Sequence, residues 1–210
     1  MKIIEQSYEI LTDLSNSIQL LKNIEIAGRT CYKSESKITG DSCKQFCQML
    51  IRNGHTAMLE HSSISVRFTV NRAIANEIAR HRHCAFAQVS TRYCNFSKGK
   101  FGNEIQVIKP YELDDEESEQ FERWYDSCQY AEDSYMYLVN NGVKAENARD
   151  VLPLCLATEL VVTANIREWI SIFNLRTTTF AHPQIRELMR NLLKEFQEKI
   201  PLLFDGIVYE

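Results

Sequence analysis

Polar and apolar residues alternate most cleanly between Ser63 and Val70. There Ile64, Val66, Phe68 and Val70 are spaced by Ser65, Arg67 and Thr69. A period of two sends one set of side chains to each face, so this segment predicts a strand with one buried side. Leu156, Thr158, Leu160 and Val162 predict a second strand. A short edge strand is expected over Met1 to Glu9, and another over Glu104 to Ile108, ending at Pro110. Elsewhere the period is helical. Leu14, Ile18, Leu21 and Ile24 predict a helix over Leu14 to Ile26. Cys43, Phe46, Cys47, Leu50 and Ile51 predict another from about Asp41 to Arg52, with Gly54 just past its end. Asn71 reads as the N-cap of a helix through Ala73, Ile74, Ile78 and Ala79 that ends in Arg80-His81-Arg82-His83. Four acids, Asp114 to Glu117, suit the positive end of a long helix that carries Phe121, Trp124, Tyr125, Cys128, Ala131, Tyr135, Leu138 and Val139 to Gly142. Asn165 caps a helix with Ile166, Trp169, Ile170 and Phe173. Pro183 opens the last helix, and Pro201 is expected to stop it.

These elements predict one α/β or α+β domain over residues 1–210, with more helix than strand. At 44% hydrophobic and 25% charged residues the chain reads as soluble and globular. Its net charge of -4 disfavours a nucleic-acid coat, which needs many cations against phosphates. No apolar run approaches the roughly 18 residues of a membrane span. The seven cysteines are odd in number and form no Cys-x-x-Cys. No signal-peptide pattern opens the chain at Met1-Lys2-Ile3, so reduced thiols and a cytoplasmic location are expected.

Against that acidic background, three arginines and two histidines fall within the 13 residues from Arg80 to Arg92. Guanidinium forks bind phosphate bidentately, and an anion relieves the repulsion of clustering them. The plainer alternative is a helix C-terminus stabilised by basic residues. A second group, Gly54-His55-Thr56-Ala57-Met58-Leu59-Glu60-His61, offers His55, Glu60 and His61 for acid–base work or for holding a ring, or only for capping a turn. A third, Asn165-Ile166-Arg167 with Asn174-Leu175-Arg176, places two arginines nine residues apart. They therefore face opposite sides of one helix, near its ends. His81, His83, Cys84 and Cys94 lack the paired spacing of a structural zinc site, so no metal is expected. Cys84 is conceivable as a nucleophile, because neighbouring arginines lower a thiol pKa; a small buried residue is the commoner role.

Arg80-His81-Arg82 followed after seven residues by Ser90, then Arg92-Tyr93, resembles the signature of the flavin-dependent thymidylate synthases. The box from Gly54 to His61, the run Arg149-Asp150-Val151-Leu152-Pro153, and the box from Asn165 to Arg176 occur in that family's order. The resemblance implies a helix-rich mixed fold with a small central, mostly antiparallel sheet. It implies a cytoplasmic homotetramer whose active sites borrow residues from more than one chain. The implied activity is reductive methylation of dUMP to dTMP. Methylenetetrahydrofolate is the carbon donor, and FAD is reduced by NADPH. The implied FAD contacts are His55, Ala57, Glu60, Arg80, His81, Arg82, Gln88, Asn165, Arg167 and Ser171. The implied dUMP contacts are Glu77, Arg80, Gln88, Ser90, Thr91, Arg92, Arg149 and Arg176, with Arg176 as the catalytic residue facing the uracil.

Several positions depart from the family's commoner residues: Ala57, Glu77, Ala85, Ala87, Gln88 and Phe180. Ala85 and Ala87 make no side-chain hydrogen bonds, and an anionic Glu77 repels a phosphate. A non-catalytic flavin- or nucleotide-binding module is the rival reading; the enzyme is expected to purify yellow, or to bind FAD with a change near the flavin absorption bands. A small RNA-binding protein is disfavoured by the acidic balance.

Overall fold

The computed structural model describes residues 1–99 and 102–209. Its elements in chain order are β1 (Lys2–Ile3), β2 (Ser7–Ile10), α1 (Ile18–Thr30), α2 (Ser42–Arg52), β3 (Ser63–Asn71), α3 (Arg72–Ile78), β4 (Cys84–Gln88), β5 (Gln106–Val107), α4 (Glu119–Asn140), α5 (Ala145–Ala148), β6 (Ala157–Asn165), α6 (Ile166–Arg176), α7 (Pro183–Lys199) and α8 (Pro201–Phe204). The fold is mixed and helix-rich, with a small antiparallel sheet of strand order β2-β3-β6-β4. β1 and β5 form a separate parallel pair, Lys2 opposite Gln106 and Ile3 opposite Val107.

Two compact units divide the chain. One comprises residues 1–7, 68–80 and 87–160; the other comprises 8–67, 81–86 and 161–210. In the second unit the helices are amphipathic as their sequences require. Cys43, Cys47 and Leu50 are the buried stripe of α2, and Ile185, Leu188, Met189, Leu192, Leu193 and Phe196 that of α7. Trp169 and Phe173 of α6 meet Phe196 and Phe204 edge-on, with ring centroids 5.3–5.9 Å apart. The indole N–H of Trp169 donates to the Ile64 carbonyl at 3.0 Å, so this large buried side chain leaves no polar group unmet. Gly28 lets α1 approach α2 closely: a Cβ there would lie 2.6 Å from the Phe46 ring, which would have to shift. Gly54 turns the chain after α2 with φ +69°, which favours a residue lacking Cβ.

The first unit is built on α4 and the two short strands. Phe96, Ile105, Val107, Tyr135, Ala148 and Leu156 form its core. Glu132, buried on α4, accepts from the Met1 ammonium at 2.7 Å and from the Ile105 backbone N–H at 2.7 Å. Those bonds hold the carboxyl below its ordinary pKa range, against the upward push of burial.

The strand and helix predictions hold in kind and shift at the ends. The single strand expected over Met1 to Glu9 is two strands in different sheets. α1 starts four residues later than Leu14. α3 stops at Ile78, so the basic run follows the helix instead of ending it. The four acids precede α4, whose N-cap is Ser118, accepting from the Phe121 N–H at 3.2 Å. Pro201 does end α7, but it also opens α8. Among the described residues no helix is long and apolar enough to cross a membrane.

Candidate functional site

In the second unit, β6 runs directly into α6, and Asn165 at the junction caps the helix: its side-chain oxygen accepts from the Glu168 N–H at 2.8 Å. Arg167 is exposed on the first turn and donates to Glu60 Oε1 at 2.6 Å, joining the second and third sequence groups. Both partners are about half exposed, so the pair is worth at most about 1 kcal/mol and remains available to a ligand. His55 and Ala57 line a cavity of about 470 Å³, walled by Tyr32, Phe46, Met49 and Met58. Aromatic rings and thioethers with one imidazole at the edge suit a flat heteroaromatic ring. Ser171 and Arg82 are exposed.

His81 is treated differently from its neighbours in the basic run. It is 8% exposed, and its Nε2 accepts from Arg176 Nε at 3.0 Å. Glu168 Oε1 lies 3.7 Å from its Nδ1. Burial, and then the Arg176 guanidinium, push the imidazole pKa down to about 4. His81 is therefore neutral near pH 7. Arg167 and Arg176 engage different partners at the two ends of α6, as the nine-residue spacing predicts. Cys84 is half-buried, in keeping with the packing role preferred for it over a nucleophile: burial and then Glu168 push its thiol up to about 12, away from a thiolate at neutral pH.

The first unit holds the remaining candidates. Glu77 is half-buried in the last turn of α3, and its carbonyl accepts from the N–H of the exposed Arg80 at 3.3 Å. Gln88 donates to Thr158 Oγ1 at 3.4 Å. After β4 the chain turns at Ser90, whose Oγ accepts from the Arg92 N–H and whose carbonyl accepts from the Cys94 N–H. Thr91 is buried in that turn, while Arg92 points outward, 3.9 Å from the Glu146 carboxylate. Arg149 is exposed in the turn Arg149–Val151.

Sequence patterns gave no reason to single out Arg72, the first residue of α3. Its Nη1 is buried with no hydrogen-bond partner among the described residues. Burial, and then the Arg149 guanidinium, push its pKa down. Two guanidiniums repelling each other, one with an unmet donor, are a physical arrangement for an anion. The cavity of about 450 Å³ in the same unit, lined by Thr69, Phe96, Glu104, Gln106 and Glu159, has the wrong charge for one. Among the described residues no three His, Cys, Asp or Glu side chains gather to hold a metal.

The profile of the family described as "Thymidylate synthase complementing protein" matches residues 14–202. A flavin-dependent thymidylate synthase of Geobacter sulfurreducens is 31% identical over 190 residues, covering 86% of this chain and 79% of the relative. A probable flavin-dependent thymidylate synthase of Mycobacterium phage D29 is 30% identical over 200 residues, covering 89% and 83%. Among solved structures, the UMP/dUMP methylase PolB of Streptomyces cacaoi, crystallised with 5-Br dUMP, is similar in fold. Its TM-score is 0.75 at 21% identity, over 98% of this chain and 96% of that one.

Proposed function

The chain belongs to the flavin-dependent thymidylate synthase family, and from that premise we propose that it methylates dUMP to dTMP, taking carbon from methylenetetrahydrofolate and using FAD reduced by NADPH. One observation carries most weight. Arg176, at the end of the third sequence group, is hydrogen-bonded to His81 of the first, 95 residues away in the chain. Two motifs separated by that distance are thus one constellation.

The reaction needs electron density at C5 of the uracil. A fixed guanidinium at the N3/O4 edge stabilises the anionic ring, and such preorganised charge is usually the largest single catalytic contribution. Arg176 takes that role. Arg92 and Arg149 clamp the 5′-phosphate, Ser90 and the backbone of its turn add donors, and Arg72 supplies the unmet Nη1. Thr91, buried in that turn, contributes through the backbone. Gln88, neutral, and Glu77, anionic, complete the proposed dUMP contacts.

The residues fit a flavin. The cavity beside His55 and Ala57 is apolar and aromatic, and Arg82 and Arg167 are exposed cations for the phosphate arm. Asn165, Glu60 and Ser171 add polar contacts, while His81 and Arg80 stand beside Arg82 in the basic run. When bound, reduced FAD supplies the two-electron chemistry that side chains lack. With Cys84 held as a thiol, the proposed route does not run through a Cys84 thiolate. The working form is a cytoplasmic homotetramer whose sites draw on more than one chain.

A visible-range spectrum of the purified protein tests the reading. Flavin bands, present at once or on adding FAD, are expected to shift when dUMP is added. A protein that takes up FAD and shows no response to dUMP is a flavin-binding module instead.

A further inference from the structure

We propose that His81 and Glu168 are positioning residues for Arg176: Glu168 keeps the His81 proton on Nδ1, leaving Nε2 to accept from Arg176 Nε and so set the plane of the guanidinium. This rests on the ring-polarising role given above to Arg176. Geometry fixes the tautomer. An imidazole nitrogen that accepts an N–H has no proton of its own, so in neutral His81 the proton sits on Nδ1. The carboxylate 3.7 Å from Nδ1 is too far for a hydrogen bond, but its negative charge favours an N–H on the side facing it. The opposite tautomer would set two N–H groups against each other at 3.0 Å and turn a lone pair toward the carboxylate.

The bond is made at Nε, the inner nitrogen of the guanidinium. It therefore sets the rotation of the whole plane, and with it the direction of both Nη groups. α6 frames the arrangement. Glu168 is in its first turn and Arg176 is its last residue, about 12 Å apart along the axis. His81, which follows α3 and is buried, lies between the two charges. Burial keeps water from competing for Nε2, and the depressed pKa keeps the acceptor lone pair available. Without His81, a charge at the end of a long flexible side chain would sample many directions. Reaction-centre groups held loosely lose rate steeply.

The test is a double-mutant cycle on single-turnover dTMP formation, with FAD and dUMP saturating. His81→Leu removes the acceptor while keeping bulk, and it should slow turnover by about 10- to 100-fold, the scale seen when a residue that orients a metal ligand is lost. His81→Gln restores an acceptor amide oxygen and should recover most of that loss. Glu168→Gln should slow turnover by less. In an Arg176→Lys background, His81→Leu should have no further effect. A full, additive His81→Leu loss in that background would overturn the positioning role. Arg176→Lys at the parent rate would instead sink the ring-polarising role beneath it. One readout needs no turnover: the ¹⁵N spectrum of histidine-labelled protein, with His81 assigned by its loss in His81→Gln. A proton on Nδ1 and a bare Nε2 at pH 7 are expected; a protonated Nε2 would overturn the proposal whatever the rates.

Discussion

Arg176 takes its chemistry from its setting. Lysine would keep the charge but lose the planar fork and the Nε–H that His81 accepts. Arg176→Lys should cost about 2.7–4 kcal/mol in the transition state, as loss of one oxyanion donor does, hence a hundred- to thousand-fold in turnover, with folding intact. Single-turnover dTMP formation by pre-reduced, FAD-loaded protein measures it; near-parent rates would contradict the role. Cys84→Ala should leave turnover within about tenfold, because only small packing energy of order 1 kcal/mol is lost. Abolished tritium release from 5-labelled dUMP, with both ligands still bound, would reinstate a thiolate. His81 also makes stability depend on pH. Its folded pKa of about 4 lies below the ordinary 6.5, so between those values the unfolded chain binds the extra proton. The stability that neutral His81 permits is complete above about pH 6.5 and is lost as pH falls toward 4. Urea denaturation from pH 7 to pH 4 should fall more steeply for the parent than for His81→Gln; parallel curves would contradict the burial argument. The sequence displayed the type and order of these residues but not their partners. The pairing of Arg176 with His81 spans 95 residues, and the unmet Nη1 of Arg72 exists only once α3 is packed.

At the scale of elements, local chemistry was the most readable. The strand from Ser63, the Asn71 and Asn165 caps and the α7 stripe follow from nearest-neighbour rules. What could not be read is what distant partners decide. Lys2–Ile3 leave the expected single strand because they pair with Gln106–Val107, and the Met1 ammonium is drawn to Glu132. The basic run leaves α3 because β4 begins at Cys84 and the chain must turn first, burying His81 on the way. The α6 cap carries a prediction at this scale. Asn165→Ala orphans the Glu168 N–H and should destabilise the protein by about 1 kcal/mol, within the 0.5–2 kcal/mol range of cap deletions. A urea midpoint shift at unchanged slope is the expected result. No shift at all would mean that the cap hydrogen bond contributes nothing.

For the whole molecule, the exposed apolar side chains bear on assembly. Phe180 is 99% exposed, Tyr32 83% and Leu175 59%, and all three lie in the unit that holds Arg176. Large apolar groups left in water are candidates for burial against another copy, which is what the proposed homotetramer would provide. Light scattering at micromolar protein should return about four times the chain mass; a stable, fully active monomer would contradict it. The proposed activity itself is tested most directly by product analysis. The purified protein is incubated with dUMP, methylenetetrahydrofolate, FAD and NADPH, and the nucleotides are separated and weighed by mass spectrometry. The expected product is dTMP, its added methyl carrying the label of isotopically marked methylene carbon and its formation stopping when FAD is withheld. Protein that is loaded with FAD and bound to dUMP, yet returns dUMP unchanged, would contradict it.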